Sequence, residues 1–293
     1  MRNSVRVNNA ARSDKYNLEH HEYSQLKTHY DKKNKIGWLY MNGVPRPYFT
    51  PQLLNDIAHY HQHVQLEMEM SEQTQYDYLV FASDEENIFS LGRDLELIYQ
   101  LVKQQNKEKL SLYAKNCIAP LYQHLTHLNS DLVTISLVQG DALGGGFEAA
   151  LSTDIIIAER VTQFAFPEVL FNSFPSMGGF SLLNRKVGAA VAENIMLSGQ
   201  LFTAEALYEI GIIDILAEKG DAELELYKFI KGKNPAAQQR HVIRKVKEAC
   251  HPISYQELTR ISEIWVNAIL KTNEKDLRMM QRLIVRQSRL LVS

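Results

Sequence analysis

The sequence has few cysteines and lacks any long apolar run. Cys117 and Cys250 are its only two cysteines, too few and too far apart for a disulfide framework or a cysteine metal site. No stretch reaches the roughly 18 consecutive apolar residues that indicate a membrane-spanning helix. Residues 1–6 lead into polar sequence, whereas a signal peptide would continue into an apolar segment. We therefore expect a cytoplasmic protein.

A marked excess of charge of either sign is also absent. The 32 lysines and arginines nearly balance the 34 aspartates and glutamates, so the formal net charge is −2. A charge this small provides no basic field for nucleic acid, and no nucleic-acid partner is expected. The hydrophobic fraction of 45% is ordinary for a globular chain, and 293 residues suit one large domain or a domain with an appendage.

Short apolar segments that predict strands alternate with helical segments through most of the chain. The strongest lies at residues 132–138, where a continuous β-branched and apolar run is typical of a strand buried on both faces. Further strands are predicted at residues 36–41, 78–82, 154–158 and 212–216. A helical stretch over residues 94–128 is predicted to break near Pro120. This alternation indicates an α/β core.

The two ends of the chain differ from this alternating part. The polar N-terminal residues predict a loosely held arm or a short edge element. From Ala222 onward the sequence shows only helical periodicity, with one apolar stripe through residues 261–269 and 277–291. We therefore predict a catalytic core over residues 1–220 and a helical C-terminal region over residues 221–293.

A glycine-rich segment follows the strongest predicted strand. Residues 140–148 read GDALGGGFE and are predicted to pass from that strand into a helix. Glycines let a substrate oxygen approach the backbone, and N–H groups at a helix N-terminus favour negative charge. The same residues are equally compatible with a strand-to-helix turn that packs tightly for steric reasons alone.

A second strand-to-helix junction has the same features. Residues 89–94 read FSLGRD, so a glycine precedes Arg93, whose N–H is a candidate donor to the same site. Asp94 is most simply the N-cap of the helix that follows. Taken alone, this junction is only weak evidence for a site.

Two glutamates accompany these junctions. Glu148 ends the glycine-rich segment, and Glu168 lies in the sequence FPEVL, shortly before PSMGG at residues 175–179. Two carboxylates that face one pocket beside free N–H groups can move protons on either side of a carbonyl. Such groups can catalyse the addition of water to an activated acyl group or the removal of water from it. Taken singly, Glu148 could be an acidic residue in the first turn of a helix, where the helix dipole favours it, and Glu168 an acidic residue in a surface loop.

Together these motifs resemble the crotonase (enoyl-CoA hydratase/isomerase) superfamily over about residues 36–216. The two oxyanion-hole segments occur in the family's order, the glutamates have the hydratase spacing, and Pro-x-x-Gly-Gly follows the second. The resemblance implies a crotonase-like ββα spiral core in which Glu148 and Glu168 are the catalytic carboxylates. It also implies an oxyanion hole made of the backbone N–H groups of Arg93 and Gly145. Crotonases commonly have a small residue in place of Arg93, so this side chain is expected to affect access to the hole.

Three segments look more specifically like the diffusible-signal-factor synthases, which are bacterial quorum-sensing enzymes of this superfamily. They are GDALGGGFEAAL from Gly140, Arg-Pro at residues 46–47 before Phe-Thr-Pro at residues 49–51, and RISEIWV from Arg260. The resemblance implies an enzyme that dehydrates a 3-hydroxyacyl thioester on acyl carrier protein to a cis-2-enoyl thioester, and then hydrolyses it to a free fatty acid. It also implies that the C-terminal region covers the acyl pocket and takes part in oligomerisation.

An acyl chain needs an apolar tunnel beside the carboxylates. We predict that Leu143, Gly144, Met177 and Trp265 contact the substrate there, with ordinary core packing as the alternative for Met177 and Trp265. The resemblance further implies an acyl carrier protein or CoA thioester as substrate, a sensor histidine kinase as a partner, and a trimer or hexamer. No cofactor and no metal is expected.

Two other functions stay open. A plain enoyl-CoA hydratase or isomerase shares both glutamates but differs in its carrier and releases no free acid. A regulatory protein that binds a sensor kinase on a crotonase scaffold has no need of both carboxylates, and their presence argues against it. The basic stretch at residues 240–247 is a candidate docking face for an acyl carrier protein, although a solvated helix face is the default interpretation.

Overall fold

Two β-sheets organise the fold. The computed structural model describes residues 22–43, 47–70, 75–232 and 235–289. Its strands are β1 (Leu26–Asp31), β2 (Ile36–Met41), β3 (Tyr78–Ser83), β4 (Ile88–Ser90), β5 (Val133–Val138), β6 (Asp141–Leu143), β7 (Ile155–Glu159), β8 (Gln163–Ala165), β9 (Phe202–Thr203) and β10 (Ile215–Ala217). The larger sheet has the order β1-β2-β3-β5-β7-β10, and the smaller has the order β4-β6-β8-β9. β1 pairs with β2 and β8 with β9 in antiparallel fashion, and the other pairings between these strands are parallel.

Helices connect the strands and form the C-terminal part of the chain. They are α1 (Pro51–Met70), α2 (Leu95–Lys103), α3 (Lys107–Leu125), α4 (Gly145–Leu151), α5 (Gly179–Val187), α6 (Ala189–Ser198), α7 (Ala204–Glu209), α8 (Ala222–Lys231), α9 (Pro235–Cys250), α10 (Tyr255–Ile269) and α11 (Glu274–Arg289). Short 3-10 turns cover His127–Asn129 and Pro167–Phe171. The predicted α/β fold with a helical C-terminal region is confirmed.

The central strands are buried on both faces, as their continuous apolar runs predict. In β3, Leu79 and Phe81 pack into one cluster of buried side chains, whereas Val80 and Ala82 pack into another. β5 lies between β3 and β7 and is buried along most of its length. Strands form within one residue of the bounds predicted at 36–41, 78–82, 132–138 and 154–158. Of the last predicted strand, only the end that forms β10 is extended in the sheet.

The helical stretch over residues 94–128 breaks at a different place from the one predicted. α2 and α3 are separated by residues 104–106, where Gln105 has a φ of 52°. The Asn106 side chain caps the start of α3, and Pro120 lies inside that helix. A proline removes one helical hydrogen bond, and packing of the helix's buried face offsets that cost. The break therefore occurs at the polar cap residue.

The two chain ends are placed by their packing on the sheets and helices. β1 forms an edge strand beside β2, while residues 1–21, Arg46 and Leu291 lie outside the described residues. Trp265 of α10 and Met280 of α11 are buried in the same hydrophobic cluster as side chains of the α/β core. The division at residue 220 stays a prediction. Among the described helices, none combines the length and apolar character needed to cross a bilayer.

Candidate active site

Two backbone segments meet at glycines beside the predicted site. Gly92 has a φ of 86°, and a Cβ added there would lie 2.6 Å from the carbonyl oxygen of Leu143 and 2.8 Å from the backbone nitrogen of Gly145. A Cβ on Gly146 would lie 2.4 Å from the carbonyl oxygen of Ser90. A methyl group cannot approach backbone atoms this closely, so glycine is what allows the segments to meet.

The meeting of these segments places two backbone donors close together. The backbone nitrogen of Arg93 lies 3.4 Å from the position that a Cβ on Gly145 would occupy. Gly145 is the first residue of α4, so its N–H has no acceptor within the helix. Among the described residues, the N–H of Arg93 donates to no backbone carbonyl. The structure thus brings two available donors to the position predicted for the oxyanion hole.

A tyrosine fixes the segment that carries Arg93. The Tyr113 hydroxyl donates to the carbonyl oxygen of Phe49 at 2.7 Å and accepts the N–H of Asp94 at 2.8 Å. The N–H of Phe49 in turn donates to the carbonyl oxygen of Gly92 at 2.7 Å. The Asp94 side chain caps α2, as predicted. Tyr113 belongs to no recognisable motif, so no local signal in the sequence pointed to this role.

Glu148 lies in the first turn of α4 and is 0% exposed. Its Oε1 accepts the N–H of Met177 at 2.7 Å and the N–H of Gly179 at 2.8 Å. Its Oε2 is buried without a hydrogen-bond partner among the described residues. Burial raises the pKa of Glu148 to about 8, against the opposing effects of the Arg93 guanidinium and the two N–H groups, while the charge of Glu168 adds to the rise. The carboxyl group therefore holds its proton at neutral pH.

Glu168 lies in the 3-10 turn after β8 and is 4% exposed. A Cβ on Gly144, whose φ is 52°, would lie only 2.6 Å from Oε1 of Glu168, so glycine there makes room for the carboxylate. Oε2 of Glu168 has no partner among the described residues. Burial raises the pKa of Glu168, and the Arg93 guanidinium opposes that rise.

The two carboxyl groups predicted from the sequence therefore lie in one buried space. The negative charge of Glu168 contributes to the raised pKa of Glu148, as expected of two carboxyl groups buried near one another. Each has one oxygen without a hydrogen-bond partner in the described part of the chain. Two interacting carboxyl groups in a medium of low dielectric constant hold one proton between them at neutral pH, and so supply one acid and one base.

The side chain of Arg93 also lies in this space, a position that sequence reasoning did not assign to it. Nη1 donates to the Ser176 hydroxyl oxygen at 2.7 Å, and Cζ lies 4.1 Å from the centre of the Trp265 ring. The indole N–H of Trp265 donates to the Ser173 hydroxyl oxygen at 3.0 Å. The signal in the sequence was the departure from a small residue at position 93, which indicated an effect on access but not the direction of the side chain.

The predicted substrate contacts lie around the same space. Met177 is buried, and its Sδ lies 2.8 Å from the Cβ position of Gly145. Trp265 is buried under the guanidinium, and Gly144 lies against Glu168. Leu143 contributes its carbonyl oxygen to the junction with Gly92, and its side chain is half-buried. Their contact with an acyl chain stays a prediction.

The glycine junctions and both buried glutamates lie within the part of the chain that matches a known family. A family model described as Enoyl-CoA hydratase/isomerase matches residues 60–282, which is most of the chain. The chain belongs to this family. The predicted membership of the crotonase superfamily is thereby confirmed, whereas the assignment to the diffusible-signal-factor synthases stays a prediction.

Individual family members show partial similarity in sequence. The chain is 34% identical over 111 residues to the mitochondrial enoyl-CoA hydratase of Pongo abelii, which covers 36% of this chain and 38% of that protein. It is 36% identical over 125 residues to the 2,3-dehydroadipyl-CoA hydratase of Escherichia coli strain K12, which covers 43% of this chain and 46% of that protein. The chain thus matches less than half the length of each of these curated relatives.

Solved structures extend the likeness to most of the fold. An enoyl-CoA hydratase from Bacillus halodurans superposes with a TM-score of 0.72 at 20% identity, covering 88% of this chain and 100% of that one. DspI from Pseudomonas aeruginosa superposes with a TM-score of 0.62 at 21% identity, covering 84% of this chain and 97% of that one. At these identities the likeness shows the shared crotonase fold.

Proposed function

We propose that the protein is a dehydratase and thioesterase that acts on 3-hydroxyacyl thioesters of acyl carrier protein. Its product would be a free cis-2-unsaturated fatty acid that serves as a quorum-sensing signal. The main observation behind this proposal is the pair of buried glutamates, each with one oxygen that no described residue hydrogen-bonds, beside two available N–H donors. The resemblance of three sequence segments to the diffusible-signal-factor synthases supports the choice of substrate and product.

Dehydration begins with the thioester carbonyl oxygen between the N–H groups of Arg93 and Gly145. Glu168 takes the α-proton, and the electron pair moves to the carbonyl oxygen as an enolate that these donors stabilise. Glu148 then protonates the β-hydroxyl group, which leaves as water while the double bond forms. Removing one donor from such a hole typically costs about 3 kcal/mol of transition-state stabilisation.

The assignment of acid and base rests on the surroundings of the two carboxyl groups. Burial raises the pKa of Glu148 to about 8, so this group carries a proton that it can donate at neutral pH. Glu168 lies against Gly144, which precedes the proposed oxyanion donor Gly145, and the proposal places the α-carbon of the substrate beside this carboxylate. Glu148 is therefore the proposed acid of dehydration, and Glu168 the proposed base.

Hydrolysis uses the same groups. A water molecule adds to the carbonyl carbon while one of its protons passes to the carboxylate of the pair. The carbon–sulfur bond then breaks with its electron pair on sulfur, which takes a proton from the carboxylic acid. The products are a carboxylate, a thiol and one proton. The sequence contains no Gly-x-Ser-x-Gly elbow, so the glutamate pair is the better candidate for this step than a serine nucleophile.

The proposed partners follow from the same resemblance. An acyl carrier protein is the proposed carrier, with a CoA thioester as the other possibility. A sensor histidine kinase and assembly into a trimer or hexamer complete the proposal. Of the basic stretch on α9, Arg244 donates to the carbonyl oxygen of Leu132 and forms an ion pair with Asp154, so it contributes to the fold itself.

A plain enoyl-CoA hydratase or isomerase is the second candidate. The family match and the names of the sequence relatives favour it, because they concern CoA thioesters. The same glutamates and donors serve this reaction, in which water adds across the double bond and no acid is released.

Mass spectrometry of the products distinguishes the two candidates. The protein is incubated with 3-hydroxyacyl thioesters on acyl carrier protein and on CoA. We expect free cis-2-enoic acid from the carrier-protein substrate, and no product from the Glu148→Gln variant. An equilibrium between enoyl-CoA and 3-hydroxyacyl-CoA without free acid would contradict the proposal and identify a plain hydratase.

A further inference from the structure

A buried cation without an ionic partner lies among the proposed catalytic groups. Arg93 is 4% exposed, and no carboxylate of the described residues lies within ion-pair distance of its guanidinium. Nη1 donates to a neutral hydroxyl group, that of Ser176, and Nε has no hydrogen-bond partner in the part of the chain that the structure describes. The charge is nevertheless close enough to both glutamates to oppose the rise of their pKa values.

The surroundings compensate this charge only in part. The Trp265 ring stabilises the guanidinium through a cation–π contact. Removing a charge from water without an opposite charge beside it is nevertheless costly. Within the described ranges, Oε2 of Glu148 and Oε2 of Glu168 also lack hydrogen-bond partners in the same space. Unpartnered donors and acceptors around one space indicate a site built for a polar ligand.

We propose that the guanidinium of Arg93 binds the negative oxygens that form at the thioester carbon, and thereby directs the site toward hydrolysis. This inference rests on the proposed function. The side chain begins at the oxyanion hole, because its own backbone N–H is one donor and its Cγ lies 3.3 Å from the Cβ position of Gly145. The carbon attacked by water is bonded to the oxygen in that hole. The forked donors of arginine match the two oxygens of a carboxylate.

Hydrolysis and dehydration differ in the charge that they leave behind. Dehydration begins and ends with an uncharged acyl thioester, and two backbone donors stabilise its transient enolate. Hydrolysis passes through a tetrahedral oxyanion and ends with a carboxylate, a thiol and a proton. A fixed cation therefore lowers the barrier to hydrolysis and binds its product, whereas it has no lasting negative charge to bind in dehydration.

The matched variants Arg93→Met and Arg93→Lys test the role of the charge. Both keep the backbone N–H and a side chain of similar length, and only lysine keeps the positive charge. Thiol release and enoyl thioester hydration are measured on the same acyl group. We expect both rates to fall in Arg93→Met, with hydrolysis falling about a hundredfold further than hydration, as after loss of an oxyanion donor. Arg93→Lys should recover part of the hydrolysis.

A control variant removes an arginine from the surface. Arg160 forms exposed ion pairs with Glu205 and Glu218. Arg160→Gln is expected to leave both rates at the wild-type values, because exposed ion pairs contribute little to stability.

Binding of the free acid provides a second readout that needs no turnover. By titration calorimetry, the wild-type protein should bind a 2-enoic acid on the order of tenfold more tightly than the uncharged 2-enamide. Arg93→Met should lose this preference, and Arg93→Lys should keep part of it. The wild-type comparison remains decisive if Arg93→Met does not fold.

The outcomes separate this inference from the proposed function. Equal falls of both rates in Arg93→Met, or equal binding of acid and amide by the wild-type protein, would overturn the role of Arg93. If the wild-type protein releases no free acid but still prefers the acid to the amide, the proposed thioesterase function is wrong and the anion site at Arg93 stands.

Discussion

The two glutamates are the same side chain held in two different ways. Glu148 accepts N–H groups from Met177 and Gly179, which belong to a distant part of the chain. For Glu168, Oε2 has no hydrogen-bond partner among the described residues, and Oε1 occupies the space left by Gly144. The two N–H donors by themselves favour the ionised carboxylate, but burial outweighs them, so Glu148 is held in a fixed position and still keeps its proton. A carboxyl group positioned by space suits a base that must reach a substrate carbon.

Removing either carboxyl group has the largest expected effect. Glu148→Gln and Glu168→Gln keep the size of the side chain but can neither donate nor accept the reacting proton. We expect turnover to fall about a thousandfold in each variant, while the thermal unfolding midpoint changes by only a few degrees. Glu193→Gln, at an exposed position on α6, is the control. Near-native product formation by either variant would show that the glutamate concerned has no catalytic role.

Crowding Glu168 alone is expected to have the next largest effect. Gly144→Ala places a methyl group 2.6 Å from the present position of Oε1, so the carboxylate must move. A displacement of this kind costs about a hundredfold in kcat. Gly188→Ala is a matched control, because Gly188 has a φ of 83° and open space around its Cβ position. Both variants should lose stability to backbone strain, and only Gly144→Ala should lose turnover. Equal turnover in the two variants would contradict the placement of Glu168 by Gly144.

The pH dependence tests the proton that the glutamate pair is proposed to hold. Dehydration needs protonated Glu148, so kcat/KM for dehydration should fall as pH rises through the pKa of about 8. Hydration of the enoyl thioester needs the same single proton on the pair, and the reaction releases no net proton, so its kcat/KM should fall over the same range. In Arg93→Met both transitions should move to higher pH, because the guanidinium lowers this pKa. A kcat/KM for dehydration that stays constant or rises through this range would contradict the assignment of Glu148 as the acid.

A methyl group beside the N–H of Gly179, which anchors Glu148, is expected to have the smallest effect. A Cβ on Gly179 would lie 3.2 Å from Oε1 of Glu148 and 3.0 Å from Cβ of Pro175, so small shifts can accommodate it. We expect Gly179→Ala to lower kcat less than tenfold, well short of Gly144→Ala, because the displacement is smaller. Steady-state kinetics of the two variants side by side would check the order. A larger loss of kcat in Gly179→Ala than in Gly144→Ala would show that catalysis depends more on the hydrogen bonds that anchor Glu148 than on the space around Glu168.

Local sequence patterns predicted the positions of most strands and singled out both glutamates. Continuous apolar runs such as residues 132–138 predict buried strands, and Asp94 predicts the cap of α2. Both features depend on near neighbours in the sequence. The helix break was predicted at Pro120 but lies at residues 104–106. A proline is a strong local signal for a break, and packing of α3 overrides it here. The two glycine junctions were recognised as separate motifs, and their resemblance to one family is what joined them.

The sequence by itself determined the family and most of the strand and helix pattern, and it predicted which two glutamates form the candidate site. It did so because burial periodicity, caps and glycine spacing act over a few residues. Only the tertiary structure decided that Tyr113 fixes the segment of Arg93, and that the Arg93 side chain turns inward onto Ser176 and Trp265. Those contacts join residues far apart in the chain, and their energies depend on the burial that the whole fold creates.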